Sequence, residues 1–194
     1  MSTPADHDAA ARPSTAPPVP RWMAAIDRVT DAFGWVAAVA VIGSCAISAG
    51  NAVVRYLLGV SSNGWLEIQW YLFAACVMLG AAHVMRRNEH VRVDVVYGLL
   101  SARGKAWVDL FGLVFFVLPV MALMIYFSWP LFVGMYASGE RSSNSGGLIR
   151  WPAMLTLPVG FALLILQSVA EIGRRVAILL HRPVELVDYE RPLQ

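Results

Sequence analysis

Residues 79–94 read LGAAHVMRRNEHVRVD. The first half closes an uncharged run that begins after Glu67, and the second half carries Arg86, Arg87, Glu89, His90, Arg92 and Asp94. An apolar segment that stops abruptly in a basic elbow marks where a helix leaves lipid, because arginine and lysine collect on the cytoplasmic side of a membrane. The elbow therefore sets both the fold class and the orientation of the segments on either side of it.

Working outward, the chain of 194 residues is 58% hydrophobic and 14% charged, far from the roughly quarter-charged composition of soluble domains. Four apolar runs account for this, over about residues 32–54, 65–85, 106–138 and 151–171. At 1.5 Å of rise per residue, each covers most or all of a hydrocarbon layer about 30 Å thick. The expected fold is an all-α membrane domain of four transmembrane helices over residues 22–175, with no separate soluble domain. A net charge of +2 follows membrane topology rather than forming a nucleic-acid stripe, so no nucleic-acid partner is expected. Cys45 and Cys76 lie inside apolar runs, where a cysteine packs as a small hydrophobe.

Residues 1–21 hold five prolines among alanine, serine and threonine, a composition that cannot bury a core and should stay disordered. The first apolar run starts too late for a secretory signal, so no cleavage is expected. Trp22, Met23 and Ile26 precede that run at helical spacing with Asp27, Arg28 and Asp31 elsewhere on the turn, which predicts an amphipathic lead-in at the interface. Ala40, Ser44 and Ser48 recur every fourth residue, either as a close-packing stripe or by chance in an alanine-rich helix. Trp22 and Trp35 read as interface anchors.

Past the elbow, Val93, Val96, Tyr97 and Leu100 fall on one helical face. They predict a short interfacial helix between helices two and three that Asp94 caps, unless Asp94 pairs with Arg92 instead. Val91, Val93 and Val95 also alternate like a strand, but an open strand edge beside lipid would leave its backbone unsatisfied. The third run contains Pro119 and Pro130 and is longer than a perpendicular span needs, so it should tilt, kink or protrude. A serine and glycine loop follows, and Trp151 and Pro152 open helix four with proline in the first turn. Residues 176–194 read as a tail.

Of the 15 lysines and arginines, twelve lie before helix one, between helices two and three, or after helix four, leaving only Arg55, Arg141 and Arg150 on the other side. This asymmetry places both termini in the cytoplasm. Arg55 and Glu67 flank the short turn between helices one and two. They either form an ion pair that fixes this hairpin, or Arg55 snorkels to the headgroups while Glu67 is solvated at a helix start. No nucleophile motif, phosphate loop or metal-ligand spacing is present, so no enzyme activity, catalytic residue or cofactor is expected. His83 alone lies within a predicted span, too little for haem held between facing histidines. The helix middles carry no ionisable pathway, which argues against a self-sufficient transporter.

The stretches NAVVRY at 51–56, WLE at 65–67, Leu79 with Gly80, HVRVD at 90–94 and WPAMLTLP at 151–158 occur in this order on the four spans. In this combination the chain resembles the small, DctQ-like membrane subunit of tripartite ATP-independent periplasmic (TRAP) transporters, over roughly residues 22–175. That family often carries paired acids near the start of helix two, where this chain has Glu67 followed by Ile68. The resemblance implies a bacterial inner-membrane subunit that supports a large membrane subunit. The large subunit would hold the substrate and sodium sites, and a periplasmic binding protein would deliver an organic acid. It makes Asn51, Arg55, Glu67, Gly80, His90, Arg92, Asp94, Trp151 and Pro152 structural or partner-contact candidates, with no substrate-binding or metal site in this chain. Arg86, Arg87 and Arg92 would face lipid headgroups or the cytoplasmic side of the large subunit. The rival readings are the membrane anchor of a redox complex and an independent small transporter.

Overall fold

The computed structural model describes residues 20–60, 62–87, 97, 100–144 and 146–180. Four helices account for nearly all of them: α1 Arg21–Leu58, α2 Asn63–Arg86, α3 Ala102–Ser138 and α4 Trp151–Leu179. Each is long and apolar enough to cross a membrane. Among the described residues the only extended pairing is one antiparallel bridge, Arg141 to Ile149. The all-helical, four-span expectation is met. The interfacial helix expected around Val93 to Leu100, the proline-rich tail and the last residues of the chain lie outside the described residues, save for Tyr97, Leu100, Pro20 and Arg21.

Local chemistry sets the helix ends. Pro20 supplies a preset φ of −49° ahead of α1, and its carbonyl accepts from the Ala24 N–H at 3.1 Å. Gly59, at φ 65°, closes α1 in the left-handed region and returns its N–H to the Arg55 carbonyl. Ser101 caps α3 by accepting the Gly104 N–H at 3.2 Å. Within α3, Leu113–Val117 is a π-helical turn immediately before Pro119. Proline has no N–H for the carbonyl four residues back and crowds it, and the wider turn accommodates this, with the Leu118 N–H reaching the Leu113 carbonyl. The helix then continues through Pro130 to Gly139, again at positive φ.

The helices stand in the order α1, α2, α4, α3, with α1 reaching α4 beside its first turns. Small residues let them approach. Gly160 of α4 lies so close to α2 that a Cβ there would stand 2.6 Å from the Met78 carbonyl oxygen, and a Cβ on Gly80 would stand 3.1 Å from that of Ala37 on α1. The apolar core is small: Leu79, Ala82 and Leu163, with Phe33 and Val159 against them. Meanwhile the most deeply buried large side chains are Gln167, Thr30 and Ser168, and Trp35, Ile42 and Phe115 point outward. This inversion suits a lipid solvent, in which apolar side chains gain nothing by turning inward and polar groups must find each other.

Three expectations change here. The lead-in around Met23 to Asp31 does not lie apart at an interface: it is the start of a continuous 38-residue α1, with Asp27 and Thr30 buried in the bundle. In the small-residue stripe, Ala40 and Ser44 are buried but Ser48 is exposed, so the contact runs through Ala37, Ala40 and Ser44. Cys45 faces outward rather than into packing.

Candidate functional site

Polar side chains concentrate at the two ends of the bundle. At the end where α1 starts and α2 finishes, Asp27 and Asp31 stand one turn apart on α1 and face Arg86 and His83 of α2 and Arg174 of α4. Asp27 Oδ2 accepts from Arg174 Nη2 at 2.5 Å, and Oδ1 lies 3.4 Å from Arg86 Nε. Asp31 takes a second Arg86 nitrogen and the His83 Nδ1 at 3.1 Å. The helical spacing of α4 extends this cluster, because Glu171, Arg174 and Arg175 share one face. Glu171 pairs with Arg174 and, at 3.2 Å, with Arg175. Arg175 in turn donates Nε to Asp109 of α3 at 2.8 Å, and Asp109 also accepts from the Tyr97 hydroxyl at 2.9 Å.

The chain of contacts runs inward from there. Gln167 donates to Glu171 at 3.3 Å and accepts from Thr30 Oγ1 at 2.9 Å. All four helices are thus joined by charge-assisted hydrogen bonds, with the Asp27, Glu171, Arg174 and Arg175 side chains each about nine-tenths buried. Buried charges of this kind are tolerable only when paired, and pairing across four helices fixes their relative rotation.

At the opposite end Glu67, 3% exposed and one turn inside α2, reaches the loop between α3 and α4. One carboxylate oxygen accepts from Asn144 Nδ2 at 2.8 Å and the other from the Leu148 N–H at 2.7 Å. The loop is self-braced: Ser142 N–H to Leu148 carbonyl at 2.9 Å, Arg150 N–H to Glu140 carbonyl at 3.0 Å, and an Arg150–Glu140 ion pair at 2.5 Å. Glu67 therefore anchors the loop to the hairpin. The alternative in which it pairs with Arg55 is not realised: Arg55 is exposed and forms no ion pair among the described residues.

The remaining candidates are scattered. Asn51 borders an apolar cleft of about 400 Å³ with Gly50, Val54 and Trp65. Gly80 marks the α1–α2 crossing. Trp151 packs edge-on against Tyr136 of α3 with centroids 5.4 Å apart, and Pro152 sits exposed in the first turn of α4. His90, Arg92 and Asp94 fall outside the described residues. Among the described residues no cluster of histidine, cysteine or carboxylate side chains could hold a metal ion. What sequence reading missed is the four-helix ion-pair network. Its trace was available in Asp27 and Asp31 at i, i+4 and in Glu171, Arg174 and Arg175 at i, i+3, i+4, one set near the start of its helix and the other near the finish of its own, so that antiparallel packing brings them to the same end of the bundle.

Compared with known proteins, residues 44–177 match the family model described as Tripartite ATP-independent periplasmic transporters, DctQ component. No curated protein matches the chain.

Proposed function

The chain belongs to the family of DctQ components of tripartite ATP-independent periplasmic transporters, and from that premise we propose that it is a scaffold for a large membrane subunit that itself performs sodium-driven uptake of an organic acid. A periplasmic binding protein would bring the acid to the pair. Both termini and the basic end of the bundle would face the cytoplasm, as the charge asymmetry favours, and the braced loop between α3 and α4 would face the periplasm, where a binding protein docks.

One observation carries this reading. The interior polar groups of the described helices are tied to one another, in the ion-pair network or in local hydrogen bonds, instead of lining a path. Alternating access in a self-sufficient carrier needs discontinuous helices and free polar groups near the membrane midplane. Here a bolt joins four continuous helices, which suits a part that holds still while its partner moves. The test is co-purification. A tagged copy of this chain should retain the large subunit encoded with it through detergent extraction, and failure to retain it under conditions that keep both folded would refute the pairing.

A further inference from the structure

At the basic end a cleft of about 540 Å³ opens on the outer side of the α1–α2 pair, bordered by Asp31, Gly34, Trp35, His83, Arg86 and Arg87. Its walls are constructed. The His83 ring is held by Asp31 through Nδ1 and lies against α1 only because residue 34 is glycine, where a Cβ would stand 2.7 Å from His83 Cγ. Arg86 directs Nε and Nη1 to Asp27 and Asp31. Arg87 is exposed, and its guanidinium with five donors borders the cleft without a carboxylate partner among the described residues. One turn and two turns along the same face of α1 from Asp31 come Trp35, 73% exposed, and Ala38, which also borders the cleft. Beyond them α1 carries no charge until Arg55.

A cationic mouth thus continues into an apolar wall, at the boundary between the charged end of the bundle and its charge-free span. We propose that this cleft binds one glycerophospholipid, its phosphate on Arg87 and the unused edge of Arg86, and its acyl chain along Trp35 and Ala38. Arginine is suited to this because its planar fork matches a phosphate with two parallel hydrogen bonds. A free phosphate shares the headgroup chemistry but cannot use the apolar wall. The assignment depends on membrane insertion and not on the transport reading.

Native mass spectrometry of the full chain, delipidated in detergent and titrated with phosphatidylglycerol, tests it. One tight lipid adduct is expected, weakened at least about tenfold by Arg87→Gln, as loss of a charge-assisted hydrogen bond should do. Diacylglycerol with the same chains should not bind there, and excess inorganic phosphate should not displace the lipid. Arg55→Gln removes another exposed arginine at the other end and should change nothing. Equal loss from Arg55→Gln, or none from Arg87→Gln, would reduce the adduct to ordinary annular lipid and overturn the site. Displacement by inorganic phosphate would make it a free-anion site. A photo-crosslinker in place of Trp35 that captures the large subunit, and not lipid, would make it a protein interface.

Discussion

At the residue scale the bundle depends on charges that are safe only in company. Arg174 holds Asp27 of α1 and Glu171 of its own helix, so Arg174→Gln takes the shared cation from two buried carboxylates, leaving Arg86 at 3.4 Å to Asp27 and Arg175 at 3.2 Å to Glu171. Removing one partner of a buried pair costs about 3–5 kcal/mol. The single variant should therefore lose thermal stability heavily, while Arg174→Gln combined with Asp27→Asn recovers part of that loss because no charge is stranded between the two. Additive losses in the double variant, measured by thermal melting in detergent, would contradict the pairing. Glu67 acts on a smaller unit, the loop of residues 139–150. With Cys45→Ala and Cys76→Ala as background, Ser143→Cys should be labelled by a membrane-impermeant maleimide from the side opposite the termini. Adding Glu67→Gln should speed that labelling, since Asn144 and the Leu148 N–H lose their charged acceptor. Labelling from the side of the termini would reverse the proposed orientation.

At the scale of elements, the helix crossings depend on missing side chains more than on large ones. Gly160→Ala places a methyl group against the Met78 backbone, which cannot rotate away as a side chain could. Overpacking of this kind costs about 1–3 kcal/mol, and the expected outcome is a lower melting temperature with α2 and α4 forced apart. An unchanged melting temperature would mean the crossing is looser than the geometry states. The same elements show which features the sequence carried. Uninterrupted apolar runs and the proline at residue 152 made four helices legible, because hydropathy and backbone chemistry act locally. The true length of α1 was hidden, since Asp27, Arg28 and Asp31 look like an interfacial face until Arg86 and Arg174 are brought alongside. The burial of Glu171, Arg174 and Arg175 was hidden for the same reason. For Glu67 chain proximity offers Arg55 or solvent, whereas the actual donors lie 77 and 81 residues away in sequence on the far loop. Pairing across a bundle depends on rotation about each helix axis, which no single run encodes.

For the whole molecule, a row of four continuous helices is bolted by ion pairs at one end and clasped by Glu67 at the other. Aromatic and aliphatic side chains cover its outside, and its interior polar groups are engaged with one another. Such a body resists internal rearrangement, and under the proposed function the motion that carries substrate belongs to another chain. The central claim is that this protein supports transport without performing it. Reconstitution in proteoliposomes tests this most directly, with a sodium gradient, the binding protein and a radiolabelled organic acid that it carries. Uptake should require this chain and the large subunit together and be absent with this chain and the binding protein alone. Sodium-driven uptake by this chain without the large subunit would contradict the account.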